Sequence, residues 1–406
     1  MTYTDIINTI DNKRRFGRAC GRDVTREMME ALGHPDEGIH IIHIAGTNGK
    51  GSVAAFVSSI LQAASFSSNN HYKVGLFTSP HLVEYTERIQ IDGHQIPRDD
   101  VVRLGELLLD LDLKKEPTMF DYWLAMAILY FKEQNVKYVV LETGLGGRLD
   151  STNGLTQLPE VCAITSIGLE HTQYLGNTLA EIAGEKAGII KPGVPVVIGK
   201  MDDEPREVII DRSKELNSPY IVSKPVETGV ELGLFGEYQR FNAGVAVDIV
   251  HLLQDTISEN DIEKGLATVV WPGRMQILSR TPFILIDGAH NPNGVMALRD
   301  SLMAEFPNQR FSFIMAVMAD KDYLEMAHIV MPIASRFYTV TVDYSRSKQA
   351  DTLAEELRNI GADAQSCDSY NHAVDLASAY DDRIIAFGSL YFIGEIIHDK
   401  DEGRGV

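Results

Sequence analysis

The chain has 406 residues, and its 57 acidic side chains outnumber its 37 lysines and arginines, leaving a formal charge of −20. That excess repels nucleic acid and anionic membrane surfaces at long range, yet leaves room for small anions held by a local cluster of cations. Hydrophobic residues at 44% and charged residues at 23% are the mix of an ordinary globular protein, long enough for two domains or three. Cys20, Cys162 and Cys367 form neither a disulfide framework nor a metal-ligand spacing. The opening MTYTDIINTI lacks a basic segment followed by an apolar one. The longest apolar run, WLAMAILYF, is a buried-helix length, well short of the ~18 residues of a membrane span. A reducing cytoplasm is the expected setting.

In chain order, IHIIHIAG (39–46) reads as a buried strand ended by glycine. A Gly-rich turn follows, then a helix whose Val53, Phe56, Val57, Ile60, Leu61 and Ala64 recur at helical spacing. KVGLFTS (73–79) completes a βαβ unit, so the sheet is expected to be parallel. Helices are predicted near 98–112 and 119–134, strands at 138–144 and 161–168, a helix at 178–190, a strand at 195–200, and helices near 240–254 and 258–269. At WPGR (271–274) the pattern restarts, and 271–281 reads as a linker between domains 1–270 and 282–406. The second domain shows strands near 282–287, 310–317, 336–342 and 382–388, with helices near 291–306, 323–334, 349–360 and 370–380. GSLYFIGEI (388–396) reads as a terminal strand, and the polar tail HDKDEGRGV is expected to fray. No internal repeat or low-complexity stretch interrupts this order.

HIAGTNGKGS (43–52) carries the clearest chemistry. Gly46, Gly49 and Gly51 let the backbone turn and approach a ligand, and successive N–H groups with the helix N-terminus form an anion cradle. Lys50 adds a charge for β- and γ-phosphates, and Ser52 a hydroxyl for phosphate or Mg²⁺. Ile44 and Gly51 stand where the strict phosphate-loop pattern wants glycine and a hydroxyl, so this is a variant loop. Glu142, at a strand end in ETGLGGRLDSTN, stays open between a metal ligand, a water-positioning base and a solvated loop acid. His171 is a lone histidine whose strand candidate neighbours that of Glu142, and Lys186 taken alone is a surface lysine. Ser79 roots a loop that is either a mobile substrate segment or an ordinary connection. In the second domain Asp287 at a strand end suits ribose hydroxyls, His290 and Asn291 suit a cleft, and Asn291 equally suits a helix cap. Arg274 and Asn242 flank the domain junction, a favoured place for ligands.

In this order, HIAGTNGKGS, GLFTSPHL, YTERI, LETGLGGRLDSTN, LEHTQYLG, EKAGIIKPG, NAG, WPGRM, DGAHNP and FGSLYFIGE resemble the folylpolyglutamate synthase/dihydrofolate synthase family of the ATP-dependent Mur ligase superfamily. The resemblance implies an α/β architecture, with an N-terminal phosphate-loop nucleotide-binding domain, a smaller C-terminal Rossmann-like domain and an active site in the cleft. It implies ATP held by Asn48, Gly49, Lys50, Gly51 and Ser52, with Asn242, Arg274 and Asp287 reaching adenine and ribose. It implies Mg²⁺, two ions in the fuller site, on Ser79, Glu142 and His171, and a monovalent cation such as K⁺ as a further candidate. Lys186 matches a lysine carbamylated by CO₂, which turns its charge into a carboxylate's and lets it serve a second Mg²⁺. Thr118, Met119, Phe120 and Asp121, with Leu149, Asp150 and Ser151, match stretches lining the pteroate or folate site, and His290 matches a residue near the incoming glutamate. Three features depart from the family pattern: TMFD where Phe-Glu is usual, Glu84 where a basic residue is common, and a short segment at 223–239 that implies a trimmed edge of the first domain.

The implied reaction activates a folate or dihydropteroate carboxylate as an acyl phosphate, which the amine of L-glutamate then attacks. The protein is expected to act as a monomer without nucleic-acid or membrane partners. A cell-wall Mur ligase is the first alternative, but it carries a further domain ahead of the phosphate loop, and some 45 residues precede Gly46 here. A nucleotide-binding paralogue without ligase activity is the second, and it predicts damage among the phosphate and metal residues, which are intact. Because the substrates are anions, binding must rest on Lys50, Arg274, nearby Arg88 or Arg148, and bound metal rather than on the global charge.

Overall fold

The structure is a computed structural model that describes residues 1–13, 21–68, 71–253, 255, 257–380 and 383–404; Cys20 lies outside them. The chain divides into two compact units, Met1–Gly233 with Arg240–Val269, and Leu234–Gln239 with Val270–Val406.

The first unit is built on β1 (His40–Ala45), β2 (Lys73–Phe77), β3 (Ile89–Ile91), β4 (His94–Gln95), β5 (Val136–Glu142), β6 (Val161–Ile164), β7 (Val196–Ile198) and β8 (Tyr220–Val222). They form one sheet in the order β4-β3-β2-β5-β1-β6-β7-β8, parallel from β2 to β8, with β3 and β4 added antiparallel at one edge. The expected βαβ unit is present, but β5 is inserted between β1 and β2. The helix Lys50–Ser67 is buried on most of its circumference. Gly265 of the helix Glu259–Thr268 lies directly on the Ile60 backbone, where any Cβ would collide, so two helices meet at close range. WLAMAILYF falls in the helix Met119–Glu133, where Trp123 and Phe131 are completely buried. Each large apolar side chain buried in this way contributes roughly 1.5–3 kcal/mol. Helices Tyr3–Asp11, Gly21–Ala31 and Asp203–Glu215 and the strand β8 add elements that the sequence pattern did not announce.

The second unit carries β9 (Gln276–Arg280), β10 (Phe283–Asp287), β11 (Phe311–Met315), β12 (Ala334–Thr339), β13 (Ala364–Ser366) and β14 (Arg383–Phe387), in the order β13-β12-β11-β14-β10-β9. Five strands are parallel, and β9 closes the edge antiparallel to β10. Separate apolar clusters cover the two faces. Two expectations are corrected here. Residues 276–280 of the supposed linker 271–281 form the edge strand β9. GSLYFIGEI is not a strand: Ser389 caps the helix Leu390–Asp401, which buries Phe392, Ile393 and Ile396 at helical spacing. The start of the polar tail continues that helix, and Lys400 Nζ ties it to the Leu278 carbonyl. Among the described residues, no helix is long and apolar enough to cross a membrane.

Candidate active site

In the first unit the chemistry gathers where the parallel strands end, as open α/β sheets favour. After Ala45 the chain turns into the helix Lys50–Ser67 through Gly49, which sits at φ 86°. A Cβ on Gly49 would come 2.6 Å from Asn242 Oδ1, so glycine lets the amide lie against the loop backbone. The segment after β6 holds the loop. The Thr47 N–H donates to the Ser166 carbonyl at 2.7 Å and the Asn48 N–H to Ser166 Oγ at 3.0 Å. The hydroxyls of Thr165 and Ser166 both donate to the Asn48 carbonyl, at 2.6 and 3.0 Å. With Thr47 and Asn48 N–H groups committed to protein, the anion cradle falls to residues 49–52, whose N–H groups open the helix and lack intrahelical acceptors.

Two lysines meet at one oxygen. Lys50 Nζ donates to the Gly46 carbonyl at 3.1 Å and to that of Thr47 at 3.3 Å, while Lys186 Nζ donates to the same Gly46 carbonyl at 2.7 Å. Lys186 is buried in the last turn of the helix Leu179–Ala187. Burial and the neighbouring Lys50 ammonium push it down to about 7, against the pull of Glu170 and Asp150. Glu142 is the buried last residue of β5; its Oε1 lies 3.8 Å from Lys50 Nζ and its Oε2 accepts the Ser79 N–H at 3.1 Å. Glu142 and Ser79 meet because β2 and β5 are neighbours. The strands of Glu142 and His171 are not neighbours, contrary to expectation: β1, with the phosphate loop, runs between them. His171 sits at φ 51° at the start of the short helix Thr172–Leu175, partly exposed, with Nε2 3.8 Å from Glu170 Oε1.

Among the described residues, no three His, Cys, Asp or Glu side chains gather in metal-binding geometry. The donor set around Glu142 nevertheless suits Mg²⁺, which is held by one or two carboxylates together with substrate phosphates and water.

The predicted pteroate-side residues divide into two kinds. Thr118 caps the helix Met119–Glu133 in a reciprocal box with Asp121, and the second oxygen of Asp121 accepts Ser151 Oγ at 2.5 Å. Asp150 accepts the Leu145 N–H at 2.7 Å and both N–H and hydroxyl of Thr152 at 3.0 and 2.5 Å. Burial pushes both carboxyls upward while these donors pull them back. Thr118, Asp121, Asp150 and Ser151 are thus buried in hydrogen bonds within the chain. Met119 and Phe120 are half-buried and Leu149 is exposed. Phe120 meets Phe77 edge to face and rests on Gly144, where a Cβ would come within 2.7 Å of its ring. Of the two arginines considered as local cations, Arg148 pairs with Glu185 at 2.6 Å on the surface, and buried Arg88 donates to His81 Nδ1 at 3.0 Å.

In the second unit Asp287 ends β10. Its Oδ2 accepts Tyr238 Oη at 3.0 Å and the Met275 N–H at 2.8 Å, and its Oδ1 accepts the Ala289 N–H at 2.7 Å. Burial raises its carboxyl, opposed first by Arg274. His290 Nδ1 lies 2.8 Å from the Gly288 carbonyl, so that nitrogen bears the proton in the hydrogen bond. Asn291 is the helix cap that its position allowed: its Oδ1 accepts the Gly294 N–H at 2.8 Å, opening the helix Pro292–Glu305. Sequence reasoning missed Tyr238, Thr165, Ser166 and His43; only the hydroxyl pair after a strand, TS in AITSIG, carried a signal.

Family models match both units: the Mur ligase middle domain over residues 44–244, and the Mur ligase glutamate ligase domain over residues 273–390. The dihydrofolate synthase/folylpolyglutamate synthase of Bacillus subtilis is 33% identical across 97% of this chain and 98% of its own. The structure of Escherichia coli FolC in complex with DHPP and ADP superposes with a TM-score of 0.87 at 28% identity, covering 100% of this chain and 99% of that one. The Yersinia pestis bifunctional folylpolyglutamate synthase/dihydrofolate synthase, complexed with AMPPNP and a Mn ion, gives a TM-score of 0.86 at 26% identity over 99% and 98% of the two chains.

Proposed function

The chain belongs to the folylpolyglutamate synthase/dihydrofolate synthase family of ATP-dependent Mur ligases, and from that premise we propose that it joins L-glutamate to the carboxylate of a folate, of dihydropteroate, or of both, through an acyl phosphate. The observation that carries this reading is the convergence of Lys50 and Lys186 on the Gly46 carbonyl, with Glu142 3.8 Å from Lys50, at the foot of a helix-opening anion cradle.

The residues divide the work. The N–H groups of residues 49–52 and the Lys50 ammonium hold and orient the phosphates of ATP, where charge grows on the transferring phosphoryl group. Asn242, Arg274 and Asp287 serve adenine and ribose; Asp287 Oδ1, with one protein donor, keeps a lone pair for a hydroxyl. Ser79, Glu142 and His171 would hold the divalent ion, and Lys186, as a carbamate, would serve a second one. Bound Mg²⁺ supplies charge neutralisation to the β- and γ-phosphates. Phe120, Met119 and Leu149 offer apolar surface to the pterin side, and His290 lies toward the glutamate. We place the enzyme in the cytoplasm, a reducing compartment that suits the buried free thiols Cys162 and Cys367, and as a monomer.

The test is amide formation and phosphate release from ATP with dihydropteroate or tetrahydrofolate, each with and without glutamate. Turnover that requires both glutamate and one of the two acceptors is expected. ATP hydrolysis indifferent to both would overturn the assignment.

A further inference from the structure

His43 has no part in the roles assigned above, yet it is buried in the middle of β1, three residues before the phosphate loop. Its Nε2 lies 2.8 Å from Thr152 Oγ1. The Thr152 hydroxyl has a single proton, and that proton goes to Asp150 Oδ1, 2.5 Å away. The contact with His43 is therefore closed by an Nε2–H that donates to a lone pair of the hydroxyl, which defines the tautomer. Burial, with Lys191 nearby, pushes the imidazole down to about 3, so it donates as a neutral ring.

What His43 holds is a junction. Asp150, oriented by Thr152, accepts the Leu145 N–H through its other oxygen. Leu145 follows Gly144, on which Phe120 rests. In the same short turn Ser151–Gly154, Ser151 ties to Asp121 of the helix Met119–Glu133. Asn153 Nδ2 donates to the Gly188 carbonyl at 3.0 Å, two residues beyond Lys186, and Lys191 Nζ donates to Asn153 Oδ1 at 2.6 Å. Three consecutive buried side chains thus fasten three elements, and Thr152 is the one that reaches the phosphate-loop strand.

We infer that His43 is a positioning residue for the acceptor substrate: through Thr152 and Asp150, its Nε2–H sets the loop 144–150 under Phe120 and fixes that loop to the strand that ends in the phosphate loop. This rests on the reading that Phe120 and the loop line the pterin side of the acceptor site. Leaving one partner of such a buried neutral hydrogen bond unpaired is worth about five- to ten-fold in an equilibrium constant.

The experiment compares His43→Leu, which has no donor, with His43→Gln, whose amide nitrogen replaces the Nε2–H. In the full-length enzyme one measures KM for the pteroate or folate acceptor, ADP affinity by titration, and the thermal midpoint. His43→Leu should raise the acceptor KM about five- to ten-fold while ADP affinity stays within about two-fold, and His43→Gln should recover most of the loss. A folded His43→Leu enzyme with unchanged acceptor KM overturns the proposal, as does a Gln variant impaired as much as the Leu one. If His43→Leu does not fold, Thr152→Val against Thr152→Ser makes the same comparison with the same criteria. Phe120→Ala separates the two levels of the argument. An unchanged acceptor KM in Phe120→Ala removes the pterin-side reading and the proposal with it. A raised KM there, with none in His43→Leu, removes the role of His43 alone.

Discussion

Lys186 and Lys50 donate to one carbonyl oxygen, that of Gly46, from 2.7 and 3.1 Å. Burial, with the Lys50 ammonium beside it, draws the pKa of Lys186 down to about 7. The neutral amine, plentiful near neutral pH, is the form that attacks CO₂: an N–C bond forms as one C=O π pair moves onto oxygen, a proton leaves the nitrogen, and the neutral amine becomes an anionic carbamate. We expect the wild-type rate to fall reversibly in CO₂-depleted buffer and to recover with bicarbonate. Lys186→Ala should be inactive and indifferent to bicarbonate. A wild-type rate independent of CO₂ would remove the carbamate from the mechanism.

The same shift makes a statement about stability. In the unfolded chain Lys186 titrates near the ordinary 10.5, in the folded one near 7, so between those values the unfolded state binds more protons. Stability contributed at this site therefore rises with pH from about 7 to about 10.5, and below pH 7 the folded protein carries the whole burden of a buried charge. In CO₂-free buffer Lys186→Met should stabilise the protein most at and below pH 7, by an amount on the order of 5 kcal/mol at the upper limit. The gain should vanish above pH ~10.5. Melting curves of both proteins across that range check the sign.

Lys50→Ala should abolish amide formation, lowering kcat by about 10²–10³-fold or more, as removal of a preorganised charge-stabilising donor does. The fold should survive, because Lys50 Nζ contacts two backbone carbonyls that water can satisfy, and its 3.8 Å approach to Glu142 is long for an ion pair. An unchanged melting point with lost ligation is the expected pair of results. Ligation near the wild-type rate would overturn the phosphate-loop assignment.

The phosphate loop was legible in the sequence because three local signals agree there: a β-branched strand, glycines at turn positions, and helical spacing from Val53 onward. Glu142 was legible as a strand end for the same reason. What eluded the sequence depends on contacts distant along the chain. The insertion of β5 between β1 and β2 leaves no mark on any of the three strands. Lys186 reads as a surface residue until β1 and the helix Leu179–Ala187 are brought together. GSLYFIGE misled because its apolar run is short and holds a glycine, whereas Ser389 as a cap, with Phe392, Ile393 and Ile396 buried on one side, was the better signal. Thr118 and Asp121 lie three apart, as a helix-capping box requires, and in the structure their side chains are spent on that box.

That last point has a measurable consequence. Asp121 accepts the Thr118 N–H and hydroxyl at 2.7 Å each, and Ser151 Oγ at 2.5 Å, so both carboxylate oxygens face donors. Asp121→Asn turns an amide NH₂ toward one of those donors and should cost about 1–3 kcal/mol. A domain of this size would melt roughly 3–10 °C lower. ADP affinity should hardly change, because none of these hydrogen bonds reaches the phosphate loop. A melting point equal to the wild type would mean that the box is dispensable.

Gly49 meets two demands that no other residue satisfies together. Its φ of 86° costs a residue with a Cβ about 1–2 kcal/mol, and its Cβ position lies 2.6 Å from Asn242 Oδ1. Gly49→Ala should therefore both strain the first turn of the helix and push the Asn242 amide off the loop, weakening ADP binding by about ten-fold or more. The two demands can be separated. Asn242→Ala removes the collision and leaves the strained φ, so adding it to Gly49→Ala should restore only part of the melting temperature. If Asn242 itself serves the nucleotide, that double variant should recover stability without recovering ADP affinity, which makes the cycle strongly non-additive for binding and less so for folding. Calorimetric ADP titration and thermal melting of the four proteins read both quantities. A Gly49→Ala enzyme that binds ADP like the wild type would show that the loop backbone does not approach the nucleotide at this residue.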